Sequence, residues 1–189
     1  MAGRSADAGD HGWVRRRRRV AYENAWIQVF HDEVTRPDGR PGIYGVVHFR
    51  TLAVGAVVLD ADGRILLVGQ HRYTLDAWSW ELPEGGVPFD ESALDGARRE
   101  LAEETGYRAE HWRELVRSHL SNSVSDEAST LYVASGLTAG APDPDGTERI
   151  TARWVTLDQA LAMIDAGEIT DAMSQIGLLR YALGRAAGG

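Results

Sequence analysis

The chain has 189 residues, 43% of them hydrophobic, a length and composition that suit one globular domain with an extension. Its net charge of −8 argues against nucleic acid or a membrane surface as partner, and no apolar run approaches the roughly 20 residues of a membrane span. There is no cysteine, which excludes disulfides and thiolate metal sites, and the start MAGRSADAGDHGW lacks the apolar core of a secretory signal, so a cytoplasmic location is expected.

Residues 1–14 are small, polar and Gly-rich, and Arg15 to Arg19 follow as an unbroken basic run. Together they read as a disordered, Arg-rich tail over residues 1–20. The run itself has two readings, an anion-binding segment or a solvated lead into the first strand. The acidic remainder of the chain and the lack of interleaved aromatics favour the second. Tyr22 to Thr35 alternates apolar and polar residues in part, PDGRPG at 37–42 signals a turn, and Ile43 to Phe49 reads as a strand. Residues 21–50 are therefore expected to form an antiparallel β extension, and residues 51–189 the main domain. LAVGAVVLD and RILLVGQ flank Ala61-Asp62-Gly63, which predicts a hairpin, and LPEGG reads as a loop. Glu91 to Thr105 has helical spacing, with Gly106 placed to end it. Strands are predicted near Glu114–Leu120, Ser129–Ala134 and Ile150–Thr156, a loop over 138–147, and helices over Leu157–Ala166 and Asp171–Leu183. The order implies an α+β fold, a mixed sheet packed between helices.

The stretch RRELAEETGY, Arg98 to Tyr107, carries the chemistry. At about 100° per residue, Leu94, Ala97, Leu101 and Thr105 form the core-facing stripe. Glu100 and Glu104 lie beside that stripe, with Glu103 next and Arg99 beyond. Like charges at this spacing cost an isolated helix roughly 0.2–0.5 kcal/mol per pair. Oxygen ligands grouped at the shoulder of a buried stripe suit a hard divalent cation, which turns mutual repulsion into shared attraction. An ordinary charged helix face has the same composition, and the helix alone does not separate the two readings. Arg99, four residues before Glu103, is placed to pair with it.

The surrounding spacing adds to this. Gly85 is followed by five residues, Glu91, seven residues, Arg99-Glu100-Leu101, Ala102, Glu103-Glu104, Thr105, Gly106 and Tyr107. This resembles the Nudix box, G-x5-E-x7-R-E-U-x-E-E-x-G-U with U a bulky apolar residue, and only Tyr107 departs from the usual aliphatic. YENAWIQV, LLVGQHRY, WSWELPEGG and GEITDAMSQIGLLRY resemble the ADP-ribose and nucleotide-sugar pyrophosphatase branch of that family. The resemblance implies a Nudix fold and a magnesium-dependent hydrolase, with manganese as the alternative metal, that cleaves a nucleoside diphosphate-linked small molecule. It implies Glu100 and Glu104 as principal metal ligands and Glu103 as a ligand or a residue that positions the water. Arg99 and Glu91 would lock the loop–helix–loop, Gly85 would permit the tight loop, and Glu84 would add its backbone carbonyl. Trp26, Arg72 and Glu81 match positions near nucleotide or metal, and each also has a plain structural reading. A homodimer through the N-terminal strands is implied, with a site that borrows from both subunits.

Two features stay open. Relatives in that branch carry S-P-G-x-S-D-E after the box, whereas here Asn122 stands for the Pro and Ser123 for the Gly, which leaves ADP-ribose and nucleotide sugars both as candidates. The general base is expected on the loop APDPDGTERI, with Glu148 matching best and Asp145 as the fallback. Two rival functions are a hydrolase of nucleoside triphosphates or dinucleotides and a non-catalytic ligand-binding regulator. The intact box disfavours the regulator, and the presence of residues 22–50 disfavours the triphosphatase.

Overall fold

The computed structural model describes residues 11–142 and 149–187, and the described chain divides into two units. The first comprises the residues up to Arg50 together with Ser121–Glu127. It is built on an antiparallel sheet in the order β1 (Val14–Glu23), β2 (Ile27–Thr35), β3 (Pro41–Phe49). The β2–β3 pairing runs unbroken from Ile27 opposite Phe49 to Thr35 opposite Pro41. The expected turn at 37–42 closes it, with Gly39 at φ +80° and its N–H donating to the Arg36 carbonyl at 2.8 Å. Ser121–Glu127 joins this unit through backbone bonds: Val47 N donates to Val124 O at 2.8 Å and Asp126 N donates to Val47 O at 3.2 Å.

The arginine run does not lie in a disordered tail. It forms half of β1, and every residue of that strand is exposed. The reason is charge pairing across the ladder. Arg18 donates from Nε and Nη2 to the two Asp32 oxygens at 2.7 Å each, and its guanidinium lies 4.2 Å from the centre of the Phe30 ring. Arg17 faces Glu33 at 3.8 Å, and Arg16 Nε donates to Thr35 Oγ1 at 2.8 Å. Opposite charges on facing strands stabilise a register that hydrophobic alternation alone does not announce.

The second unit holds two sheets and three helices. The strands are β4 (Thr51–Val58), β5 (Ile65–Arg72), β6 (Ala77–Glu81), β7 (Glu84–Pro88), β8 (Tyr107–His119), β9 (Ala128–Ala139) and β10 (Thr151–Val155). The helices are α1 (Ala93–Thr105), α2 (Leu157–Asp165) and α3 (Ala172–Ala187). One sheet is mixed, in the order β7-β4-β9-β8 with β4 and β9 parallel; the other is antiparallel, in the order β10-β5-β6. The predicted hairpin between LAVGAVVLD and RILLVGQ is therefore only a tight turn. Its strands touch at one bridge, Leu59 opposite Ile65, and then part into different sheets. Both runs are apolar and buried, so each strand finds neighbours of its own within a sheet covered on both faces.

Alternation along these strands feeds two cores. Val54, Ala56, Val58 and Leu66 join Val87, Ala97 and Leu101 on the α1 side. Val57, Ile65 and Leu67 join Leu82, Ala160, Met163 and Leu178 on the side of α2 and α3. The expected mixed sheet between helices is what the chain builds. Strands β8 and β9 run longer than their apolar patterns suggested, because each supplies the other with a ladder from Tyr107 opposite Ala139 to His119 opposite Ala128. No described helix is long and apolar enough to cross a membrane.

Candidate functional site

Helix α1 begins where Ser92 accepts a hydrogen bond from Asp95 N at 3.1 Å, and ends where Gly106, at φ +73°, donates its N–H to Ala102 O at 2.9 Å. Between these caps Ala97 and Leu101 face the core, as predicted, and Glu104 is buried beside them at 6% exposure. The carboxylate shoulder is real and is held against the start of β7. Glu84 N donates to Glu104 Oε2 at 3.2 Å. A Cβ on Gly85 would run into the Glu100 carboxyl group, so only glycine lets that carboxylate lie against the strand.

One arginine organises the rest of the box. Arg99 donates to Glu100 Oε1 at 2.8 Å, Glu103 Oε2 at 2.9 Å, Glu91 Oε2 at 3.2 Å and the Gly86 carbonyl at 3.4 Å. Partial burial disfavours its charge, but these carboxylates outweigh the burial and raise its pKa further. The predicted i to i+4 pair with Glu103 is thus one arm of a clamp that also ties α1 to β7 and Glu91.

The turn Leu82-Pro83 brings Glu81 and Glu84 to the same place. Arg72, at the end of β5, donates through Nε to Glu81 Oε1 at 2.8 Å and Oε2 at 3.1 Å, with its Nη2 also on Oε2. The same guanidinium lies 3.7 Å from Glu84 Oε1. Glu81 is 2% exposed, so this pairing is what lets its charge stay inside. Glu84 is less well served. Its Oε2 is buried with no hydrogen-bond partner among the described residues. Burial pushes its carboxyl well above the ordinary range, and the charges of Asp171, Glu81 and Glu104 push the same way against Arg72.

The structure thus gathers Arg72, Glu81, Glu84, Gly85, Glu91, Arg99, Glu100, Glu103 and Glu104 in the second unit. Trp26, Asn122 and Ser123 belong to the first unit. There Trp26 is 71% exposed and the Ser123 carbonyl accepts from the Tyr44 hydroxyl at 2.7 Å. Glu148 and Asp145 lie outside the described residues. The sequence reading missed Asp171, whose charge acts on both Glu84 and Arg72, and Ser174, whose Oγ accepts from Leu82 N at 2.8 Å. Asp171 Oδ2 accepts from Ser174 N at 2.7 Å, a helix-start pattern that the sequence D-A-M-S does display.

The donor set fits a hard cation in part. Among the described residues no three acidic or histidine side chains are already gathered as a cage. Magnesium does not require one, since it takes one or two carboxylates and fills its octahedron with waters and phosphate oxygens. Crowded glutamates, the unpartnered Glu84 oxygen and the cradle that Gly85 opens for Glu100 are what such an ion would satisfy. An open groove of about 730 Å³ elsewhere in this unit, lined by Asp60, Arg64, Tyr107, Glu110 and Trp154 among others, contains none of these carboxylates.

Comparison with known proteins places the chain in a family. Residues 49–173 match the NUDIX domain, and residues 13–47 match the nucleoside diphosphate sugar hydrolase N-terminal domain. The chain is 34% identical over 170 residues to a CMP-5'-(N-acetyl-N-hydroxy-3-aminopropyl)phosphonate hydrolase of Streptomyces rubellomurinus, covering 88% of this chain and 81% of that protein. It is 35% identical over 163 residues to an ADP-ribose pyrophosphatase of Mycobacterium tuberculosis, covering 84% and 77%. A crystal structure of an ADP compounds hydrolase superposes with a TM-score of 0.81 at 16% identity, covering 94% of this chain and 96% of that one, which speaks to the fold alone.

Proposed function

This chain belongs to the Nudix hydrolase family, enzymes of phosphoric anhydride bonds, and from that premise we propose that it is a magnesium-dependent pyrophosphatase acting on ADP-ribose or a nucleoside diphosphate sugar. The products are a nucleoside monophosphate and a sugar phosphate. The observation that carries the reading is the Glu100 carboxyl lying against Gly85 and Glu104 accepting from Glu84 N, with Arg99 donating to both Glu100 and Glu103. Bound divalent cations supply neutralisation of the diphosphate charge and activation of the attacking water. Glu100 and Glu104 hold the metal, with the backbone carbonyl of Glu84 as a further ligand. Glu103, half exposed at the rim, holds a metal or orients the water. Arg99 sets the spacing of the box, and Arg72, kept in place by Glu81, faces the substrate's negative charge. Glu148 is the proposed base.

The N-terminal match favours a nucleoside diphosphate sugar or a close relative as substrate class. Asn122 and Ser123 are the proposed readers of the group beyond the diphosphate, together with Trp26. We place the protein as a homodimer through the first unit. Val20 and Tyr22 on β1, Ile43 on β3 and Trp26 in the β1–β2 turn support this, since large apolar side chains left exposed on one small unit suit a partner surface. Sedimentation showing a monomer at all concentrations contradicts it.

A second reading, a nucleoside monophosphate joined to a phosphonate as substrate, is favoured by the similarity to the Streptomyces protein. The test is one panel: ADP-ribose, GDP-mannose, UDP-glucose, a CMP-linked phosphonate and nucleoside triphosphates, each with magnesium or with EDTA, products identified by ion exchange. Turnover of a sugar diphosphate to monophosphates supports the first reading. Turnover of the CMP-linked phosphonate alone supports the second, and turnover of triphosphates alone contradicts both.

A further inference from the structure

The Leu82-Pro83 turn carries Glu81 at one end and Glu84 at the other, and its backbone is fastened on three sides. Ala56 N donates to the Pro83 carbonyl at 3.0 Å, Glu84 N donates to Glu104 Oε2 at 3.2 Å, and Leu82 N donates to Ser174 Oγ at 2.8 Å. The last anchor comes from α3, 92 positions along the chain and outside the box. Leu82 and Ser174 are both 0% exposed, so no solvent replaces the hydroxyl if it is lost. Helix α3 comes this close because of Gly177: a Cβ there would stand 2.7 Å from Leu82 Cδ1 and 3.3 Å from Leu131 Cδ1. Asp171 accepts from Ser174 N at 2.7 Å and so fixes the helix turn that presents the hydroxyl.

We propose that Ser174, set by Asp171 and Gly177, is a positioning residue for the metal site, fixing the Leu82-Pro83 turn and through it the backbone carbonyl of Glu84. It touches neither metal nor substrate. Without Oγ, Leu82 N is a buried donor with no acceptor, and the turn shifts to find one. That shift moves Glu84 against Glu104, the two residues that the turn and α1 must hold in register. Losing a hydrogen bond that supports a metal ligand typically costs about 10–100-fold in metal affinity.

The proposal rests on the reading that Glu84 serves a metal, and the experiment separates the two. Mn2+ is titrated into the full chain and followed by electron paramagnetic resonance, with no substrate present. A parent chain that binds no Mn2+ fails the metal reading and the proposal with it. With the parent binding, Ser174→Ala is expected to lower Mn2+ affinity about tenfold while its melting transition stays cooperative. Ser174→Thr, which keeps the hydroxyl, is expected to stay within about threefold of the parent and above Ser174→Ala. An alanine variant within twofold of the parent overturns the proposal alone. So does an equal loss in the alanine and threonine variants. So does an alanine variant that does not fold, which would assign the hydroxyl to core stability.

Discussion

The chain contains two runs of like charge, Arg15 to Arg19 in β1 and Glu100 to Glu104 in α1, and the elements treat them oppositely. A strand throws successive side chains to opposite faces, so the arginines are dispersed and three of them meet side chains of β2. Arg18 takes Asp32, Arg17 takes Glu33 and Arg16 takes Thr35. A helix returns side chains to one face every three to four residues, so the glutamates are concentrated, with Arg99 donating to both Glu100 and Glu103. Period 2 lets part of a charge run find partners within the protein. Period 3.6 leaves an excess that a cation can use.

The largest effect that sharpens this comparison is expected from Glu104→Gln. The amide keeps the shape and can still meet Glu84 N, but the negative charge is gone. Turnover with magnesium falls on the order of a thousandfold, while the far-ultraviolet dichroism is unchanged. Near-parental turnover would mean that the excess charge in α1 has no catalytic use.

Gly85→Ala comes next. Its Cβ meets the Glu100 carboxyl, which must swing away from β7. Activity is expected to fall about a hundredfold, and the apparent magnesium requirement to rise. A variant with parental metal dependence would show that the cradle does not matter.

Arg99→Ala tests the clamp. It leaves Glu91, Glu100 and Glu103 without their shared donor, which costs about 1–2 kcal/mol after allowing for its partial exposure. The melting temperature falls by several degrees in EDTA and recovers in part with magnesium, because the ion replaces the lost positive charge. Recovery is absent if the glutamates do not hold metal.

The arginine run gives the smallest effect, and it is pH-dependent. The Arg18 hydrogen bond holds the Asp32 carboxyl below the usual carboxylate range, against the burial that raises it. A depressed pKa contributes stability that is present above the unfolded value near 3.9 and is lost as pH falls through the lower folded value. Asp32→Asn is therefore expected to flatten the acid limb of the melting profile below about pH 4. Turnover at neutral pH should change less than twofold. An unchanged acid limb would remove the pair from the account.

What the sequence disclosed follows the same physics. The box was legible because its residues act through local spacing: Gly106 ends a helix, and a turn of that helix gathers Glu100, Glu103 and Glu104. Strand β1 was not legible, because its partners lie on β2 and five arginines show no apolar alternation. The β4–β5 hairpin was misread because two adjacent apolar runs look alike whether they pair with each other or part into separate sheets. Asp171 and Ser174 stood in view as the start of a helix. Their link to Glu84 exists only once α3 packs on the Leu82-Pro83 turn.

On the proposed function, the glutamates of α1 become a binding site for a diphosphate only when a divalent cation joins them. Calorimetric titration of the full chain with a non-hydrolysable α,β-methylene analogue of ADP-ribose or of the nucleotide sugar that the panel selects tests this most directly. Expected are binding with magnesium, at least tenfold weaker binding in EDTA, and no magnesium effect in Glu104→Gln. Equal affinity with and without magnesium in the parent chain would contradict it.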